Sequence, residues 1–66
     1  MRITYDPAID ALYIEFTATE VRTQRVTADI ALDFDADGAL AGIEILDASA
    51  VVADPASLDA VTLERL

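Results

Sequence analysis

Residues 30–45 read Ile30-Ala31-Leu32-Asp33-Phe34-Asp35-Ala36-Asp37-Gly38-Ala39-Leu40-Ala41-Gly42-Ile43-Glu44-Ile45. Two readings compete for this stretch, and the choice between them decides the fold. From Asp33 to Glu44 it matches the calcium-loop pattern D-x-D-x-D-G-x5-E. Three Asp side chains would supply oxygens, Gly38 the sharp turn, and Glu44 a bidentate closing ligand. That loop needs a helix on each side. Here both flanks alternate at period two, with Ile30, Leu32 and Phe34 on one side of the turn and Ala41, Ile43 and Ile45 on the other, which is the mark of half-buried strands. The stretch therefore reads as a hairpin turning at Asp37-Gly38, a preferred pair for a two-residue type I′ turn. Such a turn sets Phe34 against Ala41, Leu32 against Ile43 and Ile30 against Ile45, all on one apolar face. A three-residue loop would set Ile30 against Glu44, and a slip of one flips every side chain. Leu40, Gly42, Glu44 and Leu46 are then expected on the outer face, together with Asp33 and Asp35.

The same alternation recurs towards both ends. Ile3 and Tyr5 flank Thr4 in a short first strand, and Asp6-Pro7 turns the chain. Leu12, Ile14 and Phe16 form one face of a second strand, with Ala11, Tyr13 and Glu15 on the other. Glu20 to Thr27 is polar but β-branched and suits an exposed strand, where Arg22 and Arg25 would discourage edge-to-edge pairing. After Ile45, Asp47-Ala48-Ser49 leaves the strand for a short helical turn. Asp54-Pro55 reads as an N-cap followed by proline at the first helical position. A short helix from Pro55 to about Ala60 is expected, then a terminal strand in which Val61, Leu63 and Arg65 alternate. The expected fold is one domain over residues 1–66. Its class is α+β, mainly β: a small antiparallel β-meander sheet of four or five strands with a short C-terminal helix.

Several of these pieces together resemble a known family. Tyr5-Asp6-Pro7, Asp10-Ala11-Leu12-Tyr13-Ile14, Asp33-Phe34-Asp35 and Gly42-Ile43-Glu44-Ile45-Leu46-Asp47-Ala48-Ser49 are similar to the short bacterial and archaeal proteins of the domain of unknown function 2283 family. The resemblance spans roughly residues 2 to 49. It implies a fold and no activity. Members encoded beside small toxin-like proteins suggest, through the resemblance, an antitoxin-like binding role.

The chemistry open to the chain is narrow. It has 66 residues, no histidine, no cysteine and no lysine. The commonest general base and the thiol and amine nucleophiles are missing, as are the usual ligands of zinc, haem and iron–sulfur clusters. Ser49 and Ser57 have no histidine or lysine to activate them, and Gly38 and Gly42 form no phosphate loop. No carboxylate falls on the apolar strand face, so none is expected to have a raised pKa. The expectation is a protein that is not an enzyme and has no cofactor and no metal site.

Thirteen acidic residues against four basic ones give a net charge of −9. That charge repels phosphate backbones, so nucleic acid is not an expected partner. It would steer a basic protein towards the chain. Solubility or genome composition is the preferred account of the acidity over a partner-directed role, with adaptation to a high-salt host a further reading. No apolar run approaches the ~20 residues that span a bilayer, and Met1-Arg2-Ile3-Thr4-Tyr5-Asp6 lacks a signal-peptide pattern; no membrane role and a cytoplasmic location are expected. A domain this small buries only ~60% of its unfolded surface and usually needs a staple or a partner. With disulfides excluded, self-association is expected, most simply as a dimer. The candidate interface is the outer face around Tyr13, Gly42 and Leu46: tyrosine is enriched at interfaces, and a strand glycine marks a bulge or a close approach of another backbone. The leading function is a non-catalytic interaction module that associates with itself or a protein partner. The alternative is a cation-binding domain using the acidic Asp33–Glu44 hairpin.

Overall fold

The computed structural model describes residues 1–66, with the side chains of Ala56 and Asp59 left aside. The period-two segments become five strands: β1 (Arg2–Asp6), β2 (Ala11–Glu15), β3 (Arg22–Arg25), β4 (Ile30–Phe34) and β5 (Leu40–Ile45). All pair antiparallel in one sheet. With the short helical segments that follow, this is the expected α+β, mainly β class.

The strand order is β1-β2-β5-β4-β3, so the sheet is not a simple sequential meander. After the β1–β2 hairpin the chain crosses to the far edge through residues 16–21. It then returns strand by strand until β5 closes against β2. The crossing is short enough to be made without a helix. Three strand spacings are ~14 Å, and six residues reach ~20 Å. Polar β3, exposed along its whole length, thereby becomes an edge.

The β4–β5 hairpin forms as expected, but its turn differs from the two-residue type I′ turn. Asp35 N–H donates to the Ala39 carbonyl at 2.9 Å, leaving a three-residue loop in which Gly38 takes φ +83°. Asp35 builds the loop: its Oδ1 accepts the N–H groups of Asp37 and Ala39, both at 2.9 Å. The odd loop would put the register out by one. A bulge restores it: Phe34 lies opposite Leu40 but Asp33 lies opposite Gly42, so Ala41 is the extra residue. Beyond it Leu32 meets Ile43 and Ile30 meets Ile45, the pairs expected. The bulge also turns Leu40 to the face of Phe34, not to the outer face where simple alternation puts it. The freed Ala41 carbonyl is bonded by Phe16 N–H at 2.8 Å and Thr17 N–H at 3.3 Å.

Cross-strand rows define the two faces. On the inner face run Tyr5–Leu12–Ile45–Ile30, then Ile3–Ile14–Ile43–Leu32–Gln24, then Leu40–Phe34–Arg22. The first row is covered. α1 (Ala48–Val51) and a 3-10 segment (Pro55–Ala60) follow β5, and Ala48, Val52 and Leu58 pack with Leu12 and Ile45. The segment at Pro55 is thus 3-10 rather than an α-helix. Its Asp54 sits in the left-handed region at φ 50° and makes no side-chain cap; its carbonyl instead accepts Ser57 N–H and Oγ. The expected terminal strand does not form. Residues 61–66 are irregular, with Val61 and Leu63 exposed, because alternation makes a strand only where an edge is paired.

Candidate functional site

The outer face carries two rows, Thr4–Tyr13–Glu44–Ala31–Arg25 and Arg2–Glu15–Gly42–Asp33–Thr23. Asp33 lies on the outer face as expected, yet it is only 2% exposed. A buried carboxylate must have its oxygens satisfied. Here Tyr13 donates to Oδ2 at 2.9 Å and Thr23 Oγ1 to Oδ1 at 2.5 Å. Gly42 explains how Tyr13 reaches it. The tyrosine ring lies diagonally over residue 42, and a Cβ there would fall on the phenol oxygen and ring. The mid-strand glycine is therefore the seat of the chain's own Tyr13. Two residues of the candidate interface, Tyr13 and Gly42, touch each other. Exposed Leu46 lies one strand position beyond Ile45 and shares with Tyr13, Glu44 and Thr4 a shallow depression of about 210 Å³.

The electrostatics follow from this crowding. Burial, then the neighbouring Asp33, raises Glu44 above its usual 4.5, with Arg25 pulling weakly the other way. Burial also penalises ionised Asp33, but the bonds it accepts from Thr23 and Tyr13, with Glu44 beside it, outweigh that and hold it below 3.8. Tyr13 is pushed up to about 12 by burial and by Asp33, so it remains a donor. The raised Glu44 corrects the expectation that no carboxylate would have a raised pKa. The residues of the calcium pattern serve other ends: Asp33 is occupied by two hydroxyls, Asp35 by the turn, and Glu44 lies along the strand opposite Ala31.

A second cluster, which the sequence reading did not single out, joins the β1–β2 turn to α1. Asp10 takes φ 52°, a region that, glycine apart, asparagine and aspartate enter most readily. Its carboxylate accepts Tyr5 OH at 2.7 Å, Ser49 Oγ at 2.6 Å and Ser49 N–H at 3.1 Å, and its carbonyl accepts Ala48 N–H at 2.9 Å. The bonds from Ser49, then Tyr5, lower its pKa, which makes it a poor base for the serine. The cluster acts as a latch that holds the helical segment on the first inner row. Its only sequence signal was the recurrence of Tyr5, Asp10 and Ser49 within the resemblance.

The third feature is what the latch leaves bare. Towards the hairpin turn the inner face continues through Ile14, Leu32, Phe34 and Leu40, half-buried or exposed, with Phe16 beside them 43% exposed. Arg22 lies over the Phe34 ring at 5.6 Å from its centroid.

A single antiparallel sheet, latched on one half by a short helical segment and open on the other, defines a small α+β domain. The chain belongs to the family described as Protein of unknown function (DUF2283), whose model matches residues 2–49. That span runs from β1 to the Ser49 end of the latch. No curated protein and no solved structure matches the chain.

Proposed function

We propose that this domain is a non-catalytic interaction module that works by presenting the uncovered part of its sheet to another protein surface, its own or a partner's. One observation carries the reading: among the described residues no large side chain is fully buried, while Phe16, Leu40, Val21 and Val26 are exposed. A chain whose apolar face stays half open gains by covering it, at ~25 cal/mol per Å² of apolar surface. The polar clusters support the same reading. Each is used up inside the fold, Asp33 by two hydroxyls and Asp10 by Ser49 and Tyr5, and neither offers an activated nucleophile. The net charge of −9 favours a basic protein as any partner other than itself, and an antitoxin-like pairing is one form of that.

Sedimentation equilibrium from ~1 to ~500 μM tests the reading over the range in which weak modules associate. A mass above the 7.1 kDa of the chain is the expected result. A mass of 7.1 kDa throughout, with melting independent of concentration, would count against self-association.

A further inference from the structure

We infer that the open half of the inner face is closed by the same half of a second copy of this chain, sheet against sheet. This rests on the interaction reading and names its partner.

The chain exposes 4880 Å². A compact monomer of its mass exposes ~4,100 Å², so the surplus is roughly 800 Å², shared between the open half of the sheet and the exposed residues 61–66. The shape agrees. The radius of gyration is 12.4 Å against ~10.8 Å for a compact domain of this length, and the molecule is a slab only 20 Å thick. Domains close their cores with two packed layers. Here the helical segment supplies the second layer around Leu12 and Ile45, with Tyr5, Ile3 and Ile43 packed against them, and the half carrying Ile14, Leu32 and Phe34 has one layer.

The charge pattern selects the occupant. Every carboxylate carried on a strand (Asp6, Glu15, Asp33 and Glu44) lies on the outer face, and the rows of the inner face contain none. The carboxylates nearest the open half, Glu20, Asp35 and Asp37, stand at its hairpin end around Arg22 and Phe34 and not on its rows. Two copies of a chain with net charge −9 approach most closely through rows that carry no carboxylate, since like charges brought together across an interface are strongly unfavourable. The single charge on these rows, Arg22, stands on edge strand β3 over Phe34. A two-fold contact that is the same patch on both copies satisfies all of this.

The test compares one substitution on each face by sedimentation equilibrium. Leu40→Glu puts a carboxylate on the inner face at a site already 40% exposed, so the monomer tolerates it. Thr4→Glu does the same on the exposed outer face. The wild-type chain is expected to be a dimer, Thr4→Glu to leave it a dimer, and Leu40→Glu to weaken it by ~100-fold or more. Leu32→Glu, nearer the centre, should do so more strongly, with folding of each variant checked by circular dichroism. A dimer that survives Leu40→Glu and Leu32→Glu but dissociates with Thr4→Glu overturns this inference and leaves the interaction reading standing on the outer face. A wild-type chain of 7.1 kDa at every concentration removes the inference and self-association together.

Discussion

Asp33 and Glu44 sit on neighbouring strands of the outer face, and their opposite shifts give stability a pH dependence with a definite sign. Glu44 is raised above 4.5, so the folded chain binds that proton more tightly than the unfolded chain. The stability it lends is complete below 4.5 and is lost as pH rises through its folded value. Asp33 is lowered below 3.8, so its contribution is present above 3.8 and is lost only as pH falls through its lower folded value. The two contributions coincide in mildly acid solution, and stability should decline from there towards neutrality. Glu44→Gln keeps the shape and removes the titration. Urea midpoints at ~pH 5 and ~pH 8 should therefore differ less in the variant than in the wild type. An equal pH dependence in both would show that the outer pair is not its source. Part of this cluster was legible beforehand. The hairpin register alone sets Asp33 opposite Gly42 and Glu44 opposite Ala31. What it could not show is that Tyr13 leans across Gly42 to bury Asp33, because that depends on β5 lying beside β2, a pairing between distant segments that periodicity does not encode.

The strands themselves were legible for the same reason that their order was not. Alternation is local, and β1, β2, β4 and β5 each announce it; even the exposed edge character of β3 follows from its polarity and two arginines. The three-residue loop and the bulge at Ala41 are compensating departures. The inward pairs from Ile30 to Leu32 come out right although the turn type does not, since core burial fixes the register more firmly than turn preference. The C-terminal elements were the least legible. Helices of four to six residues are marginal by themselves, so what holds them is tertiary, namely Val52 and Leu58 against the core and the Asp10 latch. Asp10→Ala removes the acceptor of Ser49 N–H and Oγ together, and puts a residue less tolerant of φ 52° in the turn. Amide exchange at Ser49 should then accelerate by at least ~10-fold, with β4 and β5 protection unchanged, as expected of a local opening rather than global unfolding. Asp10→Asn, at ease in the left-handed region, should lie between. Unaltered exchange at Ser49 in Asp10→Ala would mean that apolar packing alone holds the segment.

For the molecule as a whole, thirteen acidic and four basic residues mean net repulsion in any compact state. The strand carboxylates are gathered on one face, while Glu20, Asp35 and Asp37 surround the hairpin end. Closing two copies through the inner rows keeps the strand carboxylates apart, leaves Glu20, Asp35 and Asp37 at the rim of the contact, and doubles the charge of the particle. Added salt should therefore help twice. It screens repulsion within each copy and between copies as the Debye length falls from ~30 Å at 0.01 M to ~3 Å at 1 M, and it leaves the apolar contact untouched. Melting followed by circular dichroism should shift upward with potassium chloride. The shift should be larger at high protein concentration than at low, because association adds a term that grows with concentration. The comparison separates the two effects. A rise of equal size at both concentrations reports screening within one copy only and gives no support to dimerisation. A melting temperature that stays flat or falls shows instead that the carboxylates are already compensated within the fold, as Asp33 and Asp10 are by their hydroxyl partners.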